Sequence, residues 1–192
     1  LLHALHALEG RVPGKDRLAA ESIHVEQELL KETVGSQDQV LAAFGGLNHV
    51  TFGTDGRVAV TSVAVPASRV DELNAHLMLF YTGIMRTASS VAGSYVDGID
   101  RRHRQLSRMR GMVDEGLAIL TGRGSLEPFG QLLHEGWELK RTLSDAVTNE
   151  QVDEIYADAR RAGAVGGKLT GAGGGGFMLL FVPPGRQDDV RA

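Results

Sequence analysis

The 192-residue chain contains no cysteine, which excludes disulfide scaffolds and thiolate metal centres. Aromatic residues make up only 5% of it. That is too few to support its arginines in a base-stacking surface. Strong net charge is missing as well. Twenty basic side chains face 24 acidic ones, for a formal charge of −4, so neither nucleic acid nor an anionic membrane is an expected partner. No apolar run approaches the ~20 residues of a membrane span. The opening stretch Leu1–Leu8 is apolar but lacks the basic segment and small-residue cleavage site of a signal peptide. The cytoplasm is therefore the expected compartment. There is no initiator methionine, the chain starts inside a helical pattern, and it stops at Arg191-Ala192 inside another, so it reads as a fragment. Its length suits one large or two small domains, and neither half shows an internal repeat.

What the chain has is glycine. Between Gly163 and Phe181 it reads G-A-V-G-G-K-L-T-G-A-G-G-G-G-F-M-L-L-F, with eight glycines up to Gly176. Gly171, Gly173 and Gly176 match G-x-G-x-x-G, but a dinucleotide fingerprint follows a strand and opens a helix. Here a helical pattern precedes and a strand-like run follows. Lys168 makes no P-loop, because Ala162 stands where the first glycine belongs and Leu169 where Ser or Thr belongs. Two readings remain: a tight loop into a buried strand, or a loop whose shape serves a ligand.

Elsewhere the pattern is α+β. Leu1, Leu5 and Leu8 share a helical face that Gly10 stops, and Leu18, Ser22, Val25 and Leu29 mark a second helix expected to run to Gly35-Ser36. Asp38, between Gln37 and Gln39, reads as the N-cap of a short helix closed by Gly45-Gly46. Leu47–Phe52 and Arg57–Val65 predict a hairpin around Asp55-Gly56, with a boundary between subdomains near Pro66–Asp71. Met78–Tyr81 predicts a buried strand, and Val91–Asp97 a helix. Leu106, Met109, Val113, Leu117 and Leu120 predict an amphipathic helix, whose arginines Arg101, Arg102, Arg104, Arg108 and Arg110 read as a solvated face. Phe129, Leu133, Gly136, Lys140 and Leu143 share one face. Lys140 either snorkels from it or points into an anion-holding pocket. Thr148–Gln151 reads as a capping box for a helix through Ala159. Phe177–Val182 is the last strand.

Four stretches of the chain resemble the GHMP kinases, the family of galactokinase, homoserine kinase and mevalonate kinase. K-L-T-G-A-G-G-G-G-F (Lys168–Phe177) is similar to that family's third motif. K-E-T-V-G-S-Q-D-Q-V-L-A-A-F-G-G-L-N (Lys31–Asn48), L-F-Y-T-G (Leu79–Gly83) and L-H-E-G-W-E-L-K (Leu133–Lys140) resemble most its branch acting on D-glycero-D-manno-heptose 7-phosphate. The resemblance covers nearly the whole chain. It implies a GHMP kinase-like α+β fold: residues 1–66 as the remainder of an S5-like N-terminal domain, and residues 67–192 as a ferredoxin-like C-terminal domain truncated at its end. The family's P-x-x-x-G-L-G-S-S-S-type phosphate loop would precede Leu1, so the chain alone is expected to be inactive.

The resemblance also implies ATP as phosphoryl donor, Mg2+, and the anomeric hydroxyl of a sugar phosphate as acceptor. It places the general base at Asp38 and substrate contacts at Gly35, Gln37 and Gln39. Arg86 and Lys140 are the candidates for the distal phosphate, with Lys168 a third cation. It puts Lys168, Gly171, Gly173, Gly174 and Gly175 beside the ATP phosphates, and one magnesium ligand at Glu26, with Glu28 as the alternative. It leaves room for a homodimer. The other acceptors it allows are fucose and galactose; the contrasting reading is a silent sugar- or nucleotide-binding homologue or fragment.

Overall fold

A computed structural model of the chain describes residues 1–85, 94 and 102–192. The helix expected over 91–97, Ser94 apart, lies outside them, as do Arg86 and Arg101. The chain forms two compact units, Leu1–Val63 and Ala64–Ala192.

In the first unit, α1 (Leu2–Leu8) precedes α2 (Lys15–His24), which runs on through a π-helical turn, Val25–Leu29. The expected stop at Gly35 is corrected. The wide turn closes with Leu30 N–H donating to Val25 O at 2.9 Å, and Lys31 then takes φ 56°, the one non-glycine positive φ among the described residues. Residues 32–36 lead into α3 (Gln37–Phe44), which ends at Gly45 with φ 63°. The hairpin is as expected: β1 (Asn48–Phe52) pairs antiparallel with β2 (Val58–Ser62), from Asn48↔Ser62 to Phe52↔Val58. Its turn is held by Gly53 N–H donating to Arg57 O at 2.8 Å. The apolar side chains buried in this unit are Ala19 and Val40, joined by the polar His6 and Gln39.

The second unit opens with α4 (Ala67–His76), which the sequence pattern does not predict, and passes directly into β3 (Leu77–Tyr81). The amphipathic helix is α5 (His103–Thr121), followed by α6 (Glu127–Arg141) and α7 (Glu150–Ala162). The capping box shifts by one residue, because Asn149 is the N-cap and its side chain accepts from Val152 N–H at 3.1 Å. Thr148 instead donates to Asp153 Oδ1 at 2.6 Å. A further correction lies inside the glycine stretch. Gly166–Leu169 is a strand, β4, rather than loop. It pairs with β5 (Phe177–Phe181), which pairs in turn with β3, so the sheet order is β3-β5-β4 with antiparallel neighbours. The chain ends in a short 3-10 turn and α8 (Gln187–Arg191).

Trp137, Val147, Val152, Tyr156, Leu169, Met178, Leu180 and Val182 form the main core. A second cluster joins Leu73, Leu126 and Phe181. α6 lies so close to β4 that a Cβ on Gly166 would stand 1.9 Å from Gly130 O. Only glycine permits that approach. Among the described residues no helix is long and apolar enough to cross a membrane.

Candidate active site

In the second unit the glycine loop, residues 170–176, joins β4 to β5. Gly171, Gly173, Gly174 and Gly176 all have positive φ. The loop is nevertheless tied at several points. Thr170 N–H donates to Phe177 O at 2.8 Å, Gly174 N–H to Val147 O at 2.7 Å, and Gly176 N–H to Ile84 O at 2.9 Å. Gly176 O accepts from both Thr82 N–H and Thr82 Oγ1 at 2.9 Å, and Gly174 O from Asn149 Nδ2 at 3.1 Å. Gly173, at φ 119°, has no room for a side chain, since a Cβ there would sit 2.6 Å from Val147 O. Gly175 is equally close to Ile84 O, 2.6 Å.

Among the described residues Lys140 reaches this loop, and Lys168 stands beside Lys140 on the strand that leads into it. Lys140, in the last turn of α6, is half-buried and donates from Nζ to Gly171 O. Its partner is thus a carbonyl, not a carboxylate. Burial, and then the charge of Lys168, lower its pKa from 10.5 to about 8. Lys168 sits on β4 opposite Leu179 and is also half-buried. The structure therefore brings Lys140, Lys168 and Gly171 together. Lys140 does not simply snorkel, because its amine turns onto the loop. Its neighbour Arg141 pairs instead with Glu138 and Asp153, each at 3.0 Å. Arg108 is spanned by Glu135 and Glu115, which raise its pKa, and its pair with Glu135 ties α5 to α6. It does the work of a surface ion pair, as a solvated arginine face implies.

The first unit carries the acidic candidate. Asp38 lies in the first turn of α3 and is exposed. The N-cap is Ser36, so the expected capping role of Asp38 is corrected. Asp38 is instead a carboxylate inside the first turn of α3. Gly35 and Gln37 flank it, both exposed. Gln39 is not a surface residue. It is buried, and its Nε2 donates to Glu26 Oε2 at 2.5 Å. Glu28 pairs with Lys31 at 3.1 Å. Gln27, which sequence reasoning passed over, donates from Nε2 to Val34 O at 2.9 Å and to Ser36 Oγ at 3.2 Å, tying the loop before Asp38 to the π turn. Asn149 was seen only as part of a cap; its second bond, to the glycine loop, has no signature in the sequence.

Among the described residues no three His, Asp or Glu side chains gather around one point. An ion of the magnesium type takes one or two carboxylates from protein and the rest from water and phosphate. Glu26, half-buried on the π turn, is a carboxylate of that kind.

Residues 117–192 match the model of the GHMP kinases C terminal. The chain is 31% identical to D-glycero-alpha-D-manno-heptose 7-phosphate kinase of Campylobacter jejuni over 91% of its own length and 52% of that protein. It is also 31% identical to mevalonate kinase of Methanothermobacter thermautotrophicus, over 99% of its length and 59% of that protein. A crystal structure described as a D-glycero-D-manno-heptose 1-phosphate kinase from Bacteroides thetaiotaomicron superposes with a TM-score of 0.70 at 27% identity, covering 98% of this chain and 51% of that one. The chain thus spans little more than half the length of the curated relatives it matches.

Proposed function

The chain carries a GHMP kinase C-terminal domain, and from that premise we propose that it belongs to an ATP-dependent sugar kinase. The reaction moves the γ-phosphoryl group of ATP to the anomeric hydroxyl of a sugar phosphate, D-glycero-D-manno-heptose 7-phosphate. The observation that carries this reading is the glycine loop. It is fixed by hydrogen bonds at Gly174 and Gly176 and shut to side chains at Gly173 and Gly175, and two lysines converge beside it. Phosphoryl transfer asks a protein mainly for positioning and for positive charge near the phosphoryl oxygens.

In this reading Asp38 accepts the proton of the acceptor hydroxyl as the new bond forms. Gly35 and Gln37 contact the sugar, while Gln39 acts from beneath by holding Glu26. Lys140 and Lys168 hold phosphate oxygens at Gly171. Gly173 and Gly175 keep the loop open to the triphosphate. Arg86 lies outside the described residues and stays a candidate from its position in the sequence. Glu26 would hold Mg2+, which supplies charge neutralisation at the phosphates when bound.

Equal identity to a mevalonate kinase supports a second reading, in which the same loop serves another acceptor. An ADP-release assay decides between them, run on the protein that carries this chain with heptose 7-phosphate, mevalonate, fucose and galactose as acceptors. Turnover with the heptose phosphate alone, reduced about 10²–10⁴-fold by Asp38→Asn, supports the first reading. Turnover with a neutral sugar or mevalonate transfers the weight to the second, and full activity of Asp38→Asn removes the base.

A further inference from the structure

The N-terminus of α7 stands against the glycine loop, and one side chain serves both. Asn149, half-buried, caps α7 by accepting from Val152 N–H at its Oδ1, 3.1 Å away. From the other end of the same amide, Nδ2 donates to Gly174 O at 3.1 Å. These two partners fix which way the amide faces. Turned over, it would set its NH2 against the Val152 N–H and its oxygen against the Gly174 carbonyl. Gly174 is thus held through both its backbone groups, its N–H by Val147 O at 2.7 Å and its carbonyl by Asn149.

The anchor is itself braced. Thr148 and Arg141 both hold Asp153, at 2.6 and 3.0 Å, and Arg141 also pairs with Glu138 at 3.0 Å. These bonds tie the end of α6 to the start of α7. The same two helix ends supply the side chains on the loop carbonyls, Lys140 on Gly171 O and Asn149 on Gly174 O.

Holding the Gly174 carbonyl also aims the next amide. Among the described residues no peptide is cis, and in a trans peptide the C=O and the following N–H point opposite ways. With Gly174 O turned to Asn149, the Gly175 N–H faces away from it. Neither glycine has a Cβ to resist a swing of this peptide, so its direction depends on the bonds around it.

We propose that Asn149 is a positioning residue for phosphoryl transfer: its NH2 fixes the direction of the Gly174–Gly175 peptide and so presents the Gly175 N–H to the phosphate oxygens. Its oxygen serves the fold, as a helix cap. The chemistry of this role rests on the kinase reading, whereas its geometry rests on the two bonds of the amide.

Two substitutions separate NH2 from oxygen. Asn149→Asp keeps the cap and nearly the same shape, but sets an oxygen against Gly174 O. Asn149→Ser also keeps the cap, carries no charge and is too short to reach the loop. Both are expected to melt with the parent. In the protein that carries this chain, both are expected to lower kcat about three- to tenfold, the size of one hydrogen bond, with KM for the acceptor unchanged. Hydrogen exchange read by NMR supplies a measure that needs no turnover. The Gly174 amide is expected to exchange about three- to tenfold faster in both variants, with the amides of α7 unchanged.

Parent-like kcat in both variants would overturn the proposal. So would slowing confined to Asn149→Asp, which marks added charge and not a lost donor. Slowing that comes with a lowered melting temperature in both would reduce Asn149 to a cap. A parent idle on every acceptor would refute the kinase reading instead. Exchange at Gly174 then decides alone: faster in both variants, Asn149 anchors the loop; unchanged, it does not.

Discussion

The glycine loop of the second unit and the loop before Asp38 in the first are held by different balances of bonds. The glycine loop is fixed mainly by backbone: Gly174 and Gly176 donate to Val147 O and Ile84 O, and Thr82 N–H returns a bond to Gly176 O, with Thr82 Oγ1 and Asn149 Nδ2 adding side-chain bonds. Its surroundings are a core in which Trp137, Val147, Val152, Leu169, Met178 and Val182 are fully enclosed. The loop before Asp38 has one backbone bond to the π turn, Glu32 N–H to Glu26 O at 3.0 Å, and is otherwise held by side chains, Gln27 to Val34 and Ser36, with Gln39 to Glu26 alongside. It rests on a unit that buries little beyond Ala19 and Val40. Backbone fixation depends on having no Cβ in the way, whereas side-chain fixation depends on single amides. The two loops should therefore fail to different substitutions.

Gly166→Ala should do the most damage. Its Cβ would sit 1.9 Å from a backbone carbonyl that α6 cannot move. The second unit should lose more than about 4 kcal/mol, the range of exceptional lesions, read from urea unfolding by Trp137 fluorescence. An unfolding midpoint within the error of the parent would break the argument that α6 and β4 meet through bare backbone. Gly173→Ala comes next, combining a positive φ with a contact of 2.6 Å to Val147 O. A cost of about 1–3 kcal/mol is expected, together with weaker phosphate binding in calorimetry.

Gln27→Leu should act on the other loop alone. Removing two bonds that net about 1 kcal/mol apiece should speed hydrogen exchange over residues 32–38 while Trp137 reports an unchanged second unit. Slowed turnover restored by Gln27→Asn would instead place the amide, not the packing, in control.

The smallest effect is a pH dependence. Lys140 titrates near 8 when folded and near 10.5 otherwise, so between those values the unfolded chain binds the proton that the folded chain has released. Stability should therefore rise as pH increases from about 8. Tyr156 works the other way above pH 10, because burial raises its pKa from 10 to about 12. Midpoints measured from pH 7 to 10 should climb for the parent and stay flat for Lys140→Met.

Much of the architecture was legible because single elements obey local rules. The apolar spacing from Leu106 to Leu120 gave α5, and Asp55-Gly56 gave the hairpin turn. The likeness of Lys168–Phe177 to a known motif gave the glycine loop. What was not legible depends on neighbours. β4 contains Gly166 and Gly167, residues that disfavour strands; it is a strand because β5 pairs with it and α6 needs its bare backbone. α4 hides behind Pro66 with few apolar residues to mark it. The end of α2 moved from Gly35 to Leu29 because a π turn and the positive φ of Lys31 carry no clear sequence signal. Asp38 was located correctly within its short helix, but Ser36, not Asp38, begins it. The bonds of Gln27 and Asn149 to distant carbonyls exist only once the chain has folded.

Native-state hydrogen exchange at Gly174 and Gly176 tests the central claim most directly. A stretch so rich in glycine would ordinarily exchange as an open loop. If the backbone is held ready for phosphate as described, these two amides should exchange far more slowly than those of Thr33 and Gly35, and at rates close to those of β5. Exchange at Gly174 and Gly176 as fast as at Thr33 and Gly35 would contradict a preorganised glycine loop and the function built on it.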